Sequence, residues 1–219
     1  MSLQFITVIC QLLSALLIGI CVSCSTTVGN GGLETTNGLN AYVSGDTIYG
    51  NTVPHAQLVL CDISFTSAFA DSFFLDSAVA NDSGEYQFTN IPNGTFNLLA
   101  WNQQTDSSAV IFDIPVNENT KGYQDTVLLS PNGSINGVAK FEDENWPDII
   151  ISIVGTPLTC RPDSEGYYSI EKVPFGHFSI NAYMTFITLH GDIVYSADTS
   201  ITISSEVIND VDLSLKRQE

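Results

Sequence analysis

Few residues in this chain have the types and spacing for chemistry. The three histidines are His55, His177 and His190. None stands in the H-x-x-E or H-E-x-x-H frame that lets two imidazoles and an acid hold zinc and activate water. No Gly-x-Ser-x-Gly elbow presents a nucleophilic serine. Asp82-Ser83-Gly84-Glu85 and Asp163-Ser164-Glu165 supply only two acids each, well short of a calcium shell. The sequence therefore predicts no catalytic residue, no metal site and no cofactor. What remains is an aromatic pair, Trp101 and Tyr183. Flat rings at strand ends can stack on a sugar, or they can pack under a loop or seal a contact between modules.

The pair stands out because the chain repeats itself once. Residues 84–101 return as residues 166–183 at a constant offset of 82, without a gap. Gly84, Tyr86, Pro92, Gly94, Phe96 and Ala100 recur identically. A period of this kind implies two copies of one module, each of roughly 90 residues, a size that can just bury its own core. The expected division is 39–130 and 131–219, after a leading segment over 1–23 and a Gly/Thr/Asn-rich tether over 24–38.

The elements that must position the pair read as β-strands. No stretch after residue 25 carries apolar residues at helical spacing between caps. Short β-rich runs bounded by turn residues appear instead. In the first module these are 39–43, 57–63, 85–89, 95–101, 109–114 and 125–129. In the second they are 134–141, 149–154, 167–170, 177–186, 193–197, 200–204 and 211–215. Gly84 and Gly166 close turns that need positive φ. Tyr86 and Phe88 then alternate with polar neighbours, so one strand face is buried. Ile91-Pro92-Asn93-Gly94 and Val173-Pro174-Phe175-Gly176 fit a type I turn. The expected unit is a β-hairpin whose aromatic row, continued by Phe96 or Phe178, packs on a second sheet. Trp101 and Tyr183 fall on the opposite parity. Trp146, before Pro147, reads as a strand-entry anchor.

These residues resemble the carboxypeptidase regulatory-like, or transthyretin-like, domain. Module two carries Gly155-Thr156, Thr159, Asp163, Gly166-Tyr167-Tyr168, Val173-Pro174-Phe175-Gly176 and Phe178 of that pattern. Module one carries Asp82, Gly84-Glu85-Tyr86, Ile91-Pro92-Asn93-Gly94 and Phe96, with a longer connection over 64–77. The resemblance implies an all-β chain of two tandem seven-stranded immunoglobulin-like sandwiches. It implies no active site, because such domains are appendages whose role comes from what they accompany.

Phe5 to Val22 is apolar and uncharged, and its N-terminal position favours an export signal. It ends Cys21-Val22-Ser23-Cys24, which resembles the lipobox of bacterial lipoproteins. That resemblance implies a lipid on Cys24, and hence a membrane partner at the bacterial outer membrane or cell surface. Cys61 and Cys160 remain, one per module at non-equivalent positions, and read as separate buried thiols. The formal charge of −18 repels nucleic acid. The sequence thus points to a non-catalytic surface lipoprotein built from structural or interaction modules. Its partner would be an envelope protein or a glycan, the latter through Trp101 and Tyr183.

Overall fold

A computed structural model describes residues 38–65, 75–141, 148–188, 191–204, 206–208 and 210–218. The signal segment, Cys24, most of the tether, Trp146 and His190 lie outside the described residues. Those described belong to one compact unit, 35–219, and every regular element among them is a strand.

Residues 38–131 form two facing sheets. One holds β1 (Gly38–Ser44), β2 (Thr47–Asn51), β5 (Glu85–Phe88) and β8 (Lys121–Leu128), in the order β5-β2-β1-β8. The other holds β3 (Gln57–Asp62), β4 (Leu75–Val79), β6 (Gly94–Asn102), β7 (Ser107–Val116) and β9 (Ser130–Pro131), in the order β4-β3-β6-β7-β9. Between them lies an apolar cluster that includes Leu39, Ile48, Leu60, Phe88, Phe96, Leu98 and Ile114. The inward residues alternate along each strand, as the pleat requires.

Residues 133–217 comprise β10 (Gly133–Phe141), β11 (Ile150–Ile153), β12 (Thr159–Cys160), β13 (Tyr167–Val173), β14 (Gly176–Thr188), β15 (Gly191–Ile203), β16 (Val207–Ile208) and β17 (Leu213–Arg217). They pair along one path, β12-β11-β14-β15-β17-β10-β13, with β16 against β10. The last strand joins the layers. Its beginning runs parallel to β10, Ala139 opposite Leu213, while its end pairs antiparallel with β15, Ser196 opposite Lys216.

Strands β2, β4, β9, β12 and β16 were not expected from the sequence, so neither half keeps the seven-strand inventory implied by the resemblance. β2 is hidden by its composition: Gly50 interrupts the apolar alternation, and a two-residue turn with Gly45 at φ 63° leads into it. Conversely, one long β15 replaces two expected strands, because it pairs with β14 without a break from Gly191 to Ile203.

The repeated segment is not a hairpin. β5 and β6 lie in different sheets, whereas β13 pairs with β10 and β14 with β11 and β15. The Pro-containing turn carries the chain across the core, so that Tyr86 and Phe88 face Phe96 and Leu98 from opposite layers. Asn90 and Lys172, equivalent under the repeat, both take φ of 59° where the chain leaves the first layer. Before each copy, a side chain braces the turn: Asn81 Oδ1 accepts from the Glu85 amide at 2.9 Å, and Asp163 Oδ1 from the Tyr167 amide at 2.9 Å.

The recurring tyrosine has a recurring task. Tyr86 donates its hydroxyl to the Asn40 carbonyl, and Tyr168 donates to the Val211 carbonyl. A glycine makes room each time. A Cβ at Gly50 would stand 1.9 Å from the Asn40 oxygen, and one at Gly137 would stand 2.1 Å from the Val211 oxygen. The accepting strand differs between halves: β1 runs antiparallel to β2, whereas the segment entering β17 runs parallel to β10. Tyr86→Phe and Tyr168→Phe are expected to lose about 1–3 kcal/mol each in denaturant unfolding, because each leaves a carbonyl without its donor. Gly50→Ala and Gly137→Ala should cost more, since backbone rather than a side chain must move.

Candidate functional site

The sheet containing β3, β6 and β7 is buried on both faces. Its inward parity fills the core of the first half. Its outward parity contributes Cys61, Leu99 and Val110 to the apolar cluster of the second half, with Val59, Trp101 and Phe112 packed against it. The second half meets this face with both turn and strand residues. Phe112 and Phe178 touch edge-on, ring centroids 5.3 Å apart. Apolar residues on both parities are the sequence mark of a strand covered on both sides.

Polar bonds register this contact. Asn97, only 5% exposed, donates from Nδ2 to the Gly155 carbonyl at 3.1 Å and accepts the Asp113 amide on Oδ1 at 3.2 Å. The Gly155 amide returns a bond to the Phe65 carbonyl at 2.8 Å. Gly155 must be glycine: φ is 73°, and a Cβ would meet Asn97 Nδ2 at 2.4 Å. The linker is stitched as well, since β9 pairs with β7 and Asn132 donates from Nδ2 to Asp106 Oδ1 at 2.7 Å.

Trp101 stands at the rim of this contact. Its indole Nε1 donates to the Lys172 carbonyl at 2.9 Å, so part of its surface seals the two halves. The rest lines a cleft of about 180 Å³, with Gln57, Gln103, Asp106, Asn132 and Glu171 around it. Tyr183 lies elsewhere. It sits on the outward parity of β14, opposite Ile150 and Ser196, half-buried with its hydroxyl shielded from solvent. Burial raises its pKa, with Arg161 opposing. The two aromatics do not line one cleft. Of the cleft residues, Asn132, Asp106 and Glu171 gave no signal in the sequence, because they are polar groups in turns and on exposed strand positions.

The other reactive groups are occupied or suppressed. Cys61 and Cys160 are free thiols, both pushed by burial up to about 12, with the Asp62 charge adding to the effect at Cys61. His55 lies 3.5 Å from the Asp82 carboxylate on the surface, and His177 pairs with Thr202 across β14 and β15 at 3.0 Å. Among the described residues no group of three or more His, Cys, Asp or Glu side chains is placed to hold a metal.

No family model matches the chain, and no curated protein matches it. Among solved structures, the minor pilin GBS52 of Streptococcus agalactiae is similar at 12% identity and a TM-score of 0.34, covering 78% of this chain and 87% of that one. The Bacillus anthracis TIE protein is similar at 13% identity and a TM-score of 0.30, over 83% of this chain and 34% of that one. The shaft pilin spaA of Lactobacillus rhamnosus GG matches at 10% identity and a TM-score of 0.27, over 83% and 98%. Scores at this level do not transfer a function.

Three measurements follow from the junction and the thiols. Asn97→Ala should destabilise the unit by roughly 2 kcal/mol, since the Gly155 carbonyl and Asp113 amide lose a buried partner. The native thiols should resist iodoacetamide at pH 8 and react once the chain is unfolded, because only the thiolate is nucleophilic. By the same linkage, stability should fall as pH rises from the ordinary thiol range near 9 towards 12, where the unfolded chain ionises and the folded one does not.

Proposed function

We propose that the chain is a non-catalytic display module of the bacterial envelope, in which residues 1–23 direct export and Cys24 carries a lipid. The tether then presents a stiff, two-part unit of the carboxypeptidase regulatory-like kind. The observation that carries this reading is the shared junction. One apolar cluster takes residues from both halves, and Asn97, Gly155, Trp101 and Lys172 register it by hydrogen bonds. A surface module that sets a distance or presents a face gains from halves that do not swing independently. The charge of −18 suits a solvated surface and disfavours nucleic acid or bare anionic lipid as partners.

The anchor is tested by metabolic labelling with palmitate in a bacterial host. The wild-type chain should take up label and fractionate with membranes, and Cys24→Ser should do neither. Label that persists in Cys24→Ser, or a wild type that stays unlabelled, would overturn the lipid assignment.

A further inference from the structure

We propose that the cleft at the junction binds one neutral saccharide ring, laid against the face of Trp101. This names a ligand for the display module and rests on that reading. Four observations converge on it. The indole is fixed in plane by its bond to the Lys172 carbonyl, which leaves apolar ring surface as the part that lines the cleft. Such a surface is complementary to the C–H face of a pyranose. Beside Leu158 and Lys172, the surrounding residues carry amides and carboxylates: Gln57, Gln103, Asp106, Asn132 and Glu171. Each offers paired polar atoms that can meet neighbouring hydroxyls.

Asn132 gives the most specific sign. Its Nδ2 is committed to Asp106 Oδ1 at 2.7 Å. Its Oδ1 is buried and has no hydrogen-bond partner. A buried acceptor left open is unfavourable, and a turn of the Asn132 side chain towards the cleft would offer it to a ligand hydroxyl. Size and charge narrow the class further. A volume of about 180 Å³ is below the range that encloses a drug-sized molecule, so one ring fits and a chain does not. Two acids at the wall, Asp106 and Glu171, outnumber the one cation there, Lys172, and in a chain of net charge −18 they disfavour phosphorylated, sulfated or uronic sugars.

The ligand would touch both halves. Gln57, Trp101, Gln103 and Asp106 come from the first, and Leu158 and Glu171 from the second. Binding therefore tightens the junction as well as filling the cleft.

The test uses the full chain in detergent, with Trp146→Phe as background so that Trp101 is the single indole. The probes are the methyl glycosides of glucose, galactose, mannose and N-acetylglucosamine. At least one should shift Trp101 emission saturably and give a saturation-transfer NMR signal on its ring protons with the wild-type chain. Gln103→Ala and Glu171→Ala, both at exposed positions that the fold does not need, should each weaken binding about tenfold by removing hydrogen bonds. Equal affinity for the glycoside and the free sugar assigns the end of a glycan chain, whereas tighter binding of the free sugar assigns a monosaccharide. No saturable response to any probe overturns the proposal, as does binding that neither variant weakens. Palmitate labelling is independent of this result, so failure of the anchor and failure of the cleft are distinguishable.

Discussion

The second face of one sheet governs this molecule. β3, β6 and β7 already have a core on their inward side, and their outward side is apolar too. A sheet of that composition cannot stand with one face in water at low cost, since burying each large aliphatic side chain is worth about 1.5–3 kcal/mol. The second half covers it, with turn residues such as Gly155 and strand residues such as Phe178. Gly155 and the Lys172–Gly176 turn are therefore part of the packing as much as of the chain path. Asn97 is the polar exception inside that face: its Nδ2 is matched across the contact by the Gly155 carbonyl, and its Oδ1 within the sheet by the Asp113 amide.

The repeat expresses a different constraint. Gly84-x-Tyr86 and Gly166-x-Tyr168 recur because a strand must start at a tight turn and its tyrosine must reach a carbonyl over a glycine. Pro92 and Pro174 recur because the chain then crosses from one layer to the other. The two copies solve the same local problem with different neighbours. In the first half the carbonyl comes from the N-terminal strand, and in the second it comes from the C-terminal segment. Local sequence can repeat while topology does not.

Much of this was legible in the sequence, and the rest was hidden for physical reasons. All-β character, the turns at Gly84 and Gly166 and the inward rows from Tyr86 and Phe96 followed from alternation and turn chemistry. The connection between those rows did not. A type I turn and a crossing between layers use the same Pro and Gly, and only non-local pairing separates them. β2 was masked by Gly50, whose reason lies at the distant Asn40 carbonyl. Strand alternation puts Trp101 on the outward parity, but what covers that parity is a fact of tertiary packing. Val59, Cys61, Leu99, Val110 and Phe112 carried the signal for it, being apolar where an exposed face would be polar. The polar wall of the cleft carried no signal, because surface amides and acids are common everywhere.

The final strand has a consequence for how the chain is made. Synthesis delivers the N-terminus first, so β3, β6 and β7 are complete long before their outer covering exists. The second half is closed by β17, which joins β10 to β15 and follows every other described strand. Until Leu213 and Leu215 arrive, an apolar sheet face and an open layer edge stand exposed together. The molecule therefore has a late, single moment of closure. A chain cut before Leu213 forfeits the seam, and its early half is left with a greasy surface that a chaperone or another unfinished copy would cover.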